Sequence, residues 1–267
     1  QQPSITDGSG KAAGSPANAV KVSFRDANLR YAGAGADSLS DITFDVAPGE
    51  TVGIIGGTGS GKSSLVNMIP RFYDASQGSV CIDGVDVKDY TLDELRHKVG
   101  VVPQKAVLFA GTIADNIRWG KQDATEAEID EALEIAQAKE FVDGKENGIY
   151  FKITQGGKNL SGGQKQRLTI ARAVVRKPEI LILDDSASAL DFATDAALRK
   201  AIREKTKGMT VFLVSQRAST IMNSDKIIVM DDGQIAGIGT HRQLLSNCEI
   251  YREICQSQLS EEELSHE

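Results

Sequence analysis

The chain has 267 residues, of which 40% are hydrophobic and 25% charged, and its formal net charge is −7. This length and composition suit a folded domain with its own apolar core. No stretch has the uninterrupted apolar length of a membrane span, and no secretory leader is recognisable, so we expect a soluble domain. The negative charge disfavours a general nucleic-acid surface. The three scattered cysteines lack metal-ligand spacing and are expected to be reduced thiols.

The N-terminal part is predicted to contain a tail and then short strands. Residues 1–19 are rich in Gly, Ser, Ala and Pro and poor in large apolar side chains, which predicts a flexible linker or tail. Alternating apolar and polar residues then predict strands over 20–24, 29–31, 40–46 and 78–84. We expect these strands to pair in antiparallel fashion and to lead into a further strand over 51–55.

Residues 56–63 read Gly-Gly-Thr-Gly-Ser-Gly-Lys-Ser and match the phosphate-loop pattern G-x-x-x-x-G-K-[ST] at every fixed position. A strand pattern precedes the loop and a helical pattern over 64–69 follows it, which is the order that the motif requires. Glycines let the backbone amides point at a phosphate, and the helix start adds partial positive charge. We expect Lys62 to reach the β- and γ-phosphates and Ser63 to ligate Mg²⁺. The nucleotide-contacting residues predicted for this segment are Gly57, Thr58, Gly59, Ser60, Gly61, Lys62, Ser63 and Ser64. The alternative is a Gly-rich turn that binds nothing.

The segment after the loop is predicted to hold a helix, a strand and a helical insertion. Thr91 with Glu94 three residues later is a capping box, so a helix is expected to begin there. Residues 99–104 form an apolar run that ends in Pro and Gln, which predicts a strand. From about residue 106 to 176 the pattern is helical, with a second capping box at Thr125. We expect this insertion to form its own helical subdomain.

A second candidate anion-binding motif lies inside this insertion. Residues 160–164 read Leu-Ser-Gly-Gly-Gln directly before a helical pattern over 165–173. Ser161 is placed to cap that helix, and Gly162 and Gly163 leave backbone amides open to an anion. Two phosphate-facing helix starts in separate lobes of one chain do not easily meet on one γ-phosphate. The sequence therefore predicts a dimer that sandwiches ATP.

The remaining elements complete a predicted α/β core. Residues 179–185 form an apolar strand that ends in Asp184 and Asp185, as a central parallel strand with ligands at its carboxyl end would. The other predicted elements are strands over 210–214 and 226–230, a last helix over about 248–259 and a solvated acidic tail over 260–267.

Together these motifs resemble the nucleotide-binding domain of ATP-binding-cassette (ABC) transporters over about residues 20–259. Residues 101–104 resemble the Q-loop of that family, 180–185 its Walker B strand and 188–191 its D-loop, and the run over 108–117 resembles exporter-type members. The resemblance implies an α/β fold with a RecA-like P-loop core, an N-terminal antiparallel β subdomain and an inserted α-helical subdomain.

The resemblance also implies roles for individual residues. Tyr31 occupies the position where the family stacks an aromatic ring on adenine, although by itself it would be interpreted as a packed strand tyrosine. Ser63, Gln104 and Asp184 would position Mg²⁺. The signature residues that would complete an ATP site in a second domain are Ser161, Gly162, Gly163 and Gln164.

Two catalytic positions depart from the family pattern. The general base after Asp184 is normally glutamate, but this chain has Asp185, whose side chain is one methylene shorter. A misplacement of about 1 Å costs on the order of 100-fold in rate, or about 2.7 kcal/mol of barrier. The switch histidine is replaced by Gln216, which can donate a hydrogen bond to phosphate but cannot carry positive charge or shuttle a proton. Both substitutions favour slow hydrolysis.

We therefore predict the degenerate-site half of a heterodimeric exporter, in which this chain binds ATP that turns over slowly while its signature completes the site of the partner. One alternative is a fully active homodimer that tolerates both substitutions. Another is a nucleotide-dependent interaction module without useful ATPase activity. A third is a soluble cassette ATPase acting on DNA or ribosomes, which is disfavoured by the negative charge and by the lack of a second cassette or coiled coil in this chain.

The partners follow from the same resemblance. We expect a transmembrane domain, fused upstream in the native polypeptide, and a second nucleotide-binding domain in a head-to-tail dimer. The expected location is the cytoplasmic face of the cell membrane, and residues 1–19 would be the linker to the transmembrane domain or its cut end. The transported substrate would be selected by the transmembrane segments.

Overall fold

The structure is a computed structural model that describes residues 5–10 and 20–259. The chain divides into two compact units, one formed by Gln1–Val99 with Thr210–Glu267 and the other by Gly100–Met209. The second unit includes the whole of the predicted helical insertion. Most of the predicted N-terminal tail and all of the acidic tail lie outside the described residues.

The described strands and helices follow one another with short connections. The strands are β1 (Val22–Leu29), β2 (Leu39–Val46), β3 (Thr51–Gly56), β4 (Gln77–Ile82), β5 (Val85–Asp86), β6 (Val99–Val102), β7 (Gly111–Thr112), β8 (Lys152–Ile153), β9 (Ile180–Asp184), β10 (Thr210–Val214), β11 (Lys226–Asp231) and β12 (Gln234–Gly239). The helices are α1 (Lys62–Asn67), α2 (Leu92–Lys98), α3 (Ile113–Arg118), α4 (Glu126–Ile135), α5 (Lys139–Asp143), α6 (Gly162–Val174), α7 (Phe192–Lys205), α8 (Ala218–Ile221), α9 (His241–Asn247) and α10 (Glu249–Gln258).

An antiparallel sheet in the first unit has the strand order β2-β1-β4-β5, as predicted. Its inner face carries Phe24 and Phe44, which are register partners and stack with their ring centroids 4.6 Å apart. The prediction divided β1 into two short strands, whereas the structure has one strand with a bulge. Asp26 lies in the bulge with φ of +45°, and the register shifts on both pairing edges. Because a bulge offsets the apolar alternation, one strand looks like two in sequence.

The first unit also contains the strands that position the phosphate loop, in the order β12-β11-β3-β10. β3 pairs in parallel with both β10 and β11. Val52, Ile54 and Ile55 of β3 have no exposed surface, as expected for a central parallel strand covered on both faces. β12 was not predicted. It pairs antiparallel with β11 at the edge, and its residues alternate between exposed and half-buried, so its apolar signal is weak.

The second unit contains the neighbouring strands β9 and β6 together with helices α3–α7. All five residues of β9 are buried. The insertion is not wholly helical, because Gly111 and Thr112 pair antiparallel with Ile153 and Lys152 in a small two-stranded sheet. α7 was also not predicted, although Asp191 caps it by accepting a 2.9 Å hydrogen bond from the Thr194 amide.

Helix starts are where the sequence predictions are most accurate. α2 begins after Thr91, α4 after Thr125 and α6 after Ser161, and each start has both hydrogen bonds of a capping box. These three predictions are confirmed. The reason is local, since a capping box needs only residues within one turn of the helix.

Residues 5–10, a described part of the predicted tail, lie against the start of α2. The Asp7 carboxylate accepts a 2.7 Å hydrogen bond from the Leu92 amide, and the Gly10 amide donates to the Asp89 carbonyl over 3.2 Å. A Cβ added at Gly8 would lie 2.2 Å from the Tyr90 carbonyl oxygen. This short segment therefore makes specific contacts with the first unit.

The described helices are short compared with the thickness of a bilayer. Within residues 5–10 and 20–259, no helix is long and apolar enough to cross a membrane. The longest of these helices, α7, has 14 residues and so extends about 21 Å, short of the roughly 30 Å of a hydrocarbon core.

Candidate functional site

The phosphate loop follows β3 and depends on close backbone packing. A Cβ added at Gly56 would lie 2.2 Å from the Met230 carbonyl oxygen, so only glycine fits between β3 and β11. Gly61, at the end of the loop, has φ of +98°, and a Cβ there would meet the Leu39 side chain at 2.6 Å. Close packing and a left-handed backbone conformation therefore explain the fixed glycines of the motif. The loop residues between them, Gly57, Thr58 and Gly59, are exposed.

Lys62 begins α1 and bends back over the loop. Only 8% of its surface is exposed, and its Nζ donates to the Gly56 carbonyl over 2.9 Å, the Gly57 carbonyl over 2.7 Å and Ser60 Oγ over 3.4 Å. The ammonium group is thus held at the loop, where the sequence predicts a phosphate. A bound phosphate would add a direct attraction between opposite charges, which these neutral carbonyl and hydroxyl oxygens do not offer the ammonium.

Tyr31 lies two residues beyond β1 and is half-buried, so it is not a core tyrosine of a strand. Its hydroxyl is 2.6 Å from the hydroxyl oxygen of Ser64, in the first turn of α1. Tyr73 packs edge-on against its ring, with the centroids 4.9 Å apart and the planes at 89°. The structure therefore brings Tyr31 to the phosphate-loop helix. Sequence reasoning missed Tyr73, and nothing in the pattern of the sequence marks it.

Gln216 is the last predicted site residue in the first unit. It is exposed and lies two residues after β10. The preceding residue, Ser215, is buried and donates its amide to the Ile54 carbonyl over 3.1 Å, which ties this turn to the strand that precedes the phosphate loop. The main chain at Gln216 also contacts Gln258 of α10, a residue that the sequence analysis did not single out.

The second unit holds two of the three predicted Mg²⁺ ligands, Gln104 and Asp184, and the predicted water-positioning residue Asp185. Asp184 is the last residue of β9 and is 9% exposed. Asp185 is half-buried and has φ of +46°, a left-handed conformation that aspartate tolerates better than most residues. The amide of Gln104 donates a 2.9 Å hydrogen bond from Nε2 to Asp185 Oδ2. The structure thus brings Gln104 and Asp185 together.

The donor set predicted for Mg²⁺ consists of a hydroxyl, an amide and a carboxylate, from Ser63, Gln104 and Asp184. These are oxygen ligands of the kind that Mg²⁺ takes, usually with substrate phosphates and waters. Gln104 donates to Asp185 through Nε2, so the side-chain carbonyl oxygen of Gln104 can still act as an acceptor or metal ligand. Among the residues that the structure describes, no three His, Cys, Asp or Glu side chains converge as a metal cage. A set with one carboxylate fits a metal that arrives with the nucleotide.

The signature begins α6 and uses its own side chains for the cap. Ser161 Oγ accepts from the Gln164 amide over 3.2 Å, and Gln164 Oε1 accepts from the Ser161 amide over 3.1 Å. Gly162 makes room for an approaching group, since nothing lies within 4 Å of an added Cβ there. A Cβ at Gly163 would lie 3.2 Å from the Ala189 carbonyl oxygen in the predicted D-loop. Gly162 therefore leaves the space beside the helix start open, and Gly163 allows the helix to pack closely against the Ala189 carbonyl.

Two further contacts hold the backbone at or beside the predicted site residues Gln104 and Asp185 within the second unit. Gln166 of α6 is 2% exposed and donates to the Pro103 carbonyl over 3.3 Å, directly before Gln104. Ser188 donates its hydroxyl to the Asp185 carbonyl over 2.8 Å. Sequence reasoning missed Gln166, although its position in the helix just after the signature was a usable signal.

Comparison with known proteins gives one consistent result. A family model described as "ABC transporter" matches residues 39–188. The chain is 45% identical over 240 residues to an uncharacterized ABC transporter ATP-binding protein of Mycobacterium tuberculosis, covering 89% of this chain and 41% of that protein. It is 44% identical over 232 residues to a probable multidrug resistance ABC transporter ATP-binding/permease protein of Bacillus subtilis, covering 87% and 40%. The chain thus spans about two-fifths of the length of these relatives.

A solved structure extends the comparison to three dimensions. A bacterial Atm1-family ABC exporter with ATP bound superposes with a TM-score of 0.90 at 36% identity, covering 96% of this chain and 45% of that one.

Proposed function

The chain belongs to the ABC transporter family, and we propose that it is the ATP-binding domain of an exporter whose own ATP site hydrolyses slowly. The α/β fold predicted from the sequence, with an antiparallel and a parallel sheet, is confirmed as the ABC ATPase fold. The observation that carries the proposal is the pairing of an intact phosphate loop with a shortened carboxylate. The loop is built as ATP binding requires, whereas Asp185 stands where the family has glutamate.

The proposed binding roles follow the geometry of each unit. Tyr31 stacks on adenine from its fixed position beside Ser64. The amides of residues 57–61 and Lys62 hold the phosphates. From the family resemblance, Ser63, Gln104 and Asp184 would hold Mg²⁺, which would supply positive charge to the phosphate oxygens. The signature helix of this chain, starting at Ser161, completes an ATP site on a second domain.

The proposed weakness of hydrolysis has two causes. Asp185 is shorter than glutamate and its carboxylate already accepts a hydrogen bond from Gln104, so it orients the attacking water imperfectly. Gln216 offers an amide dipole where an imidazolium would supply positive charge to the terminal phosphate. ATP then closes the dimer and is held for longer than it would be at a site with glutamate and histidine.

The proposed assembly is a heterodimer attached to transmembrane domains. The relative named as an ATP-binding/permease protein supports a fused transmembrane domain, since this chain covers 40% of its length. On this proposal the domain works at the cytoplasmic face of the membrane, with its signature serving a non-identical partner. A homodimer with two equivalent sites is the competing assembly.

The experiment restores the two substituted side chains. In the assembled transporter, we expect Asp185→Glu with Gln216→His to raise phosphate release at this site by up to about 100-fold. Asp184→Asn, which removes the metal-binding carboxylate and leaves Asp185 intact, is the matched control and should not raise it. The Asp185→Glu protein is also checked for folding, because the left-handed backbone at residue 185 favours aspartate.

Each outcome separates the candidates. If both restorations leave turnover unchanged in an active transporter, the slow-site proposal is wrong. If the unmodified chain alone already hydrolyses ATP at full rate as a homodimer, the heterodimer is wrong. If no variant releases phosphate although ATP binds, the chain is a nucleotide-dependent interaction module.

A further inference from the structure

The side-chain amide of Gln258 joins the C-terminal helix to the backbone around Gln216. Gln258 Nε2 donates to the Gln216 carbonyl over 2.8 Å. Its Oε1 accepts from the Ala218 amide over 2.8 Å. The side-chain amide of Gln258 thus bonds the main chain at Gln216 and at Ala218, one on each side of Arg217. We propose that Gln258 is a positioning residue that sets where Gln216 stands relative to the terminal phosphate of ATP, an inference that rests on the proposed function.

The two bonds fall on main-chain groups that the local structure leaves open. Arg217 precedes α8 but makes no side-chain cap, so the Ala218 amide at the start of this short helix needs an external acceptor. Ala218 has no exposed surface, and an unpaired amide there would be costly. Gln258 supplies that acceptor. The same side chain then fixes the carbonyl of Gln216.

The segment from 215 to 218 is held from two directions. At its start, Ser215 is bonded to the Ile54 carbonyl through its amide and accepts from the Arg217 amide through Oγ over 3.0 Å. At its end, Gln258 bonds Gln216 and Ala218. The exposed side chain of Gln216 therefore projects from a backbone whose neighbours on both sides are fixed. A fixed backbone matters for a residue that acts on a phosphate, because a small displacement of its side chain lowers the rate.

α10 is anchored well enough to act as the fixed side of this contact. Tyr251 and Cys255 are fully buried. Cys255 lies four residues after Tyr251, and Gln258 lies three residues after Cys255, so the three residues share one side of the helix. The Tyr251 hydroxyl lies 2.7 Å from His241 Nδ1 of α9. Gln258 itself is exposed and is the last residue of α10, so a helix anchored by its buried residues carries the amide to the turn after β10.

The test uses glutamines of the same helix as variant and control. Gln256 is exposed on α10, two residues before Gln258, so Gln256→Ala controls for loss of a glutamine from this helix. In the assembled transporter with the partner's ATP site inactivated, we expect Gln258→Ala to lower the remaining kcat for ATP about fivefold, the effect of losing a hydrogen bond of ordinary strength. KM should stay within about twofold, because the phosphate loop is untouched.

A double-mutant cycle distinguishes positioning from general support of the fold. If Gln258 acts through Gln216, Gln216→Ala with Gln258→Ala should be no slower than Gln216→Ala alone. Losses that multiply in the double variant, or a kcat for Gln258→Ala equal to that of Gln256→Ala, overturn the proposal.

A measurement without nucleotide keeps the two proposals separate. Hydrogen exchange at the Ala218 amide of this chain should accelerate in Gln258→Ala and stay unchanged in Gln256→Ala. Unchanged exchange in both variants overturns the contact itself. If the unmodified transporter releases no phosphate above background, the proposed hydrolysis fails, and with it the positioning role, while the exchange result still decides whether Gln258 holds the backbone.

Discussion

The phosphate loop and the carboxyl end of β9 are built in different ways. The loop owes its shape to backbone packing, because Gly56 lies against the Met230 carbonyl and Lys62 is bonded to loop oxygens. The end of β9 depends on side chains, chiefly Asp185 and the Gln104 amide that donates to it. The loop matches its motif at every fixed position, whereas the end of β9 departs from the family pattern.

This difference indicates which positions of such a domain tolerate substitution. A side chain at Gly56 would overlap the Met230 carbonyl and push β3 away from β11, so a substitution there would destabilise the fold. A change of glutamate to aspartate at residue 185 alters the reach of one partly buried carboxylate and leaves β9 fully packed. On the proposed function, hydrolysis is weakened in this way while the phosphate loop keeps its packing.

The largest expected effect tests the backbone side of the comparison. Gly56→Ala should lower the free energy of unfolding by about 3 kcal/mol, because its Cβ would overlap the Met230 carbonyl oxygen. Gly57→Ala is the control, since nothing lies within 4 Å of a Cβ at that position. Urea unfolding measures both. Equal stability of the two variants would show that packing does not account for the first glycine.

A smaller effect is expected from the aromatic ring beside the loop. Tyr31→Ala should weaken ATP binding about tenfold, because stacking on a base is worth about 1–3 kcal/mol. Tyr31→Phe keeps the ring and loses only the contact with Ser64, so affinity should change by less than about threefold. Calorimetric titration with Mg-ATP measures both constants. If the phenylalanine variant binds as weakly as the alanine variant, the hydroxyl, and not stacking, is responsible.

The smallest effect concerns acid sensitivity at the start of α7, in the segment that follows β9. Hydrogen bonds from the Thr194 amide and hydroxyl hold the pKa of Asp191 below its usual value. Because the native pKa is lowered, this contribution to stability is complete above the usual carboxyl range and is lost as pH falls through the native pKa. Thr194→Val removes the hydroxyl donor and should raise the pKa of Asp191, as followed by carboxyl NMR. An unchanged pKa would contradict the assigned cause.

Much of the fold was predictable because its signals are local. The capping boxes at Thr91, Thr125 and Ser161 each act within one helical turn, and the apolar run of β9 identifies a strand buried on both faces. The bulge at Asp26 and the edge strand β12 were missed because pairing with other strands defines them. The same holds for the short pair β7 and β8.

The sequence by itself determined the motif residues, the family resemblance and the two departures at Asp185 and Gln216, because these depend on residue type and spacing. Only the tertiary structure decided which side chains support them. The edge-on packing of Tyr73 against Tyr31 and the amide of Gln258 at Gln216 join residues more than 40 positions apart. Such contacts have no local periodicity, so they exist only once the chain has folded.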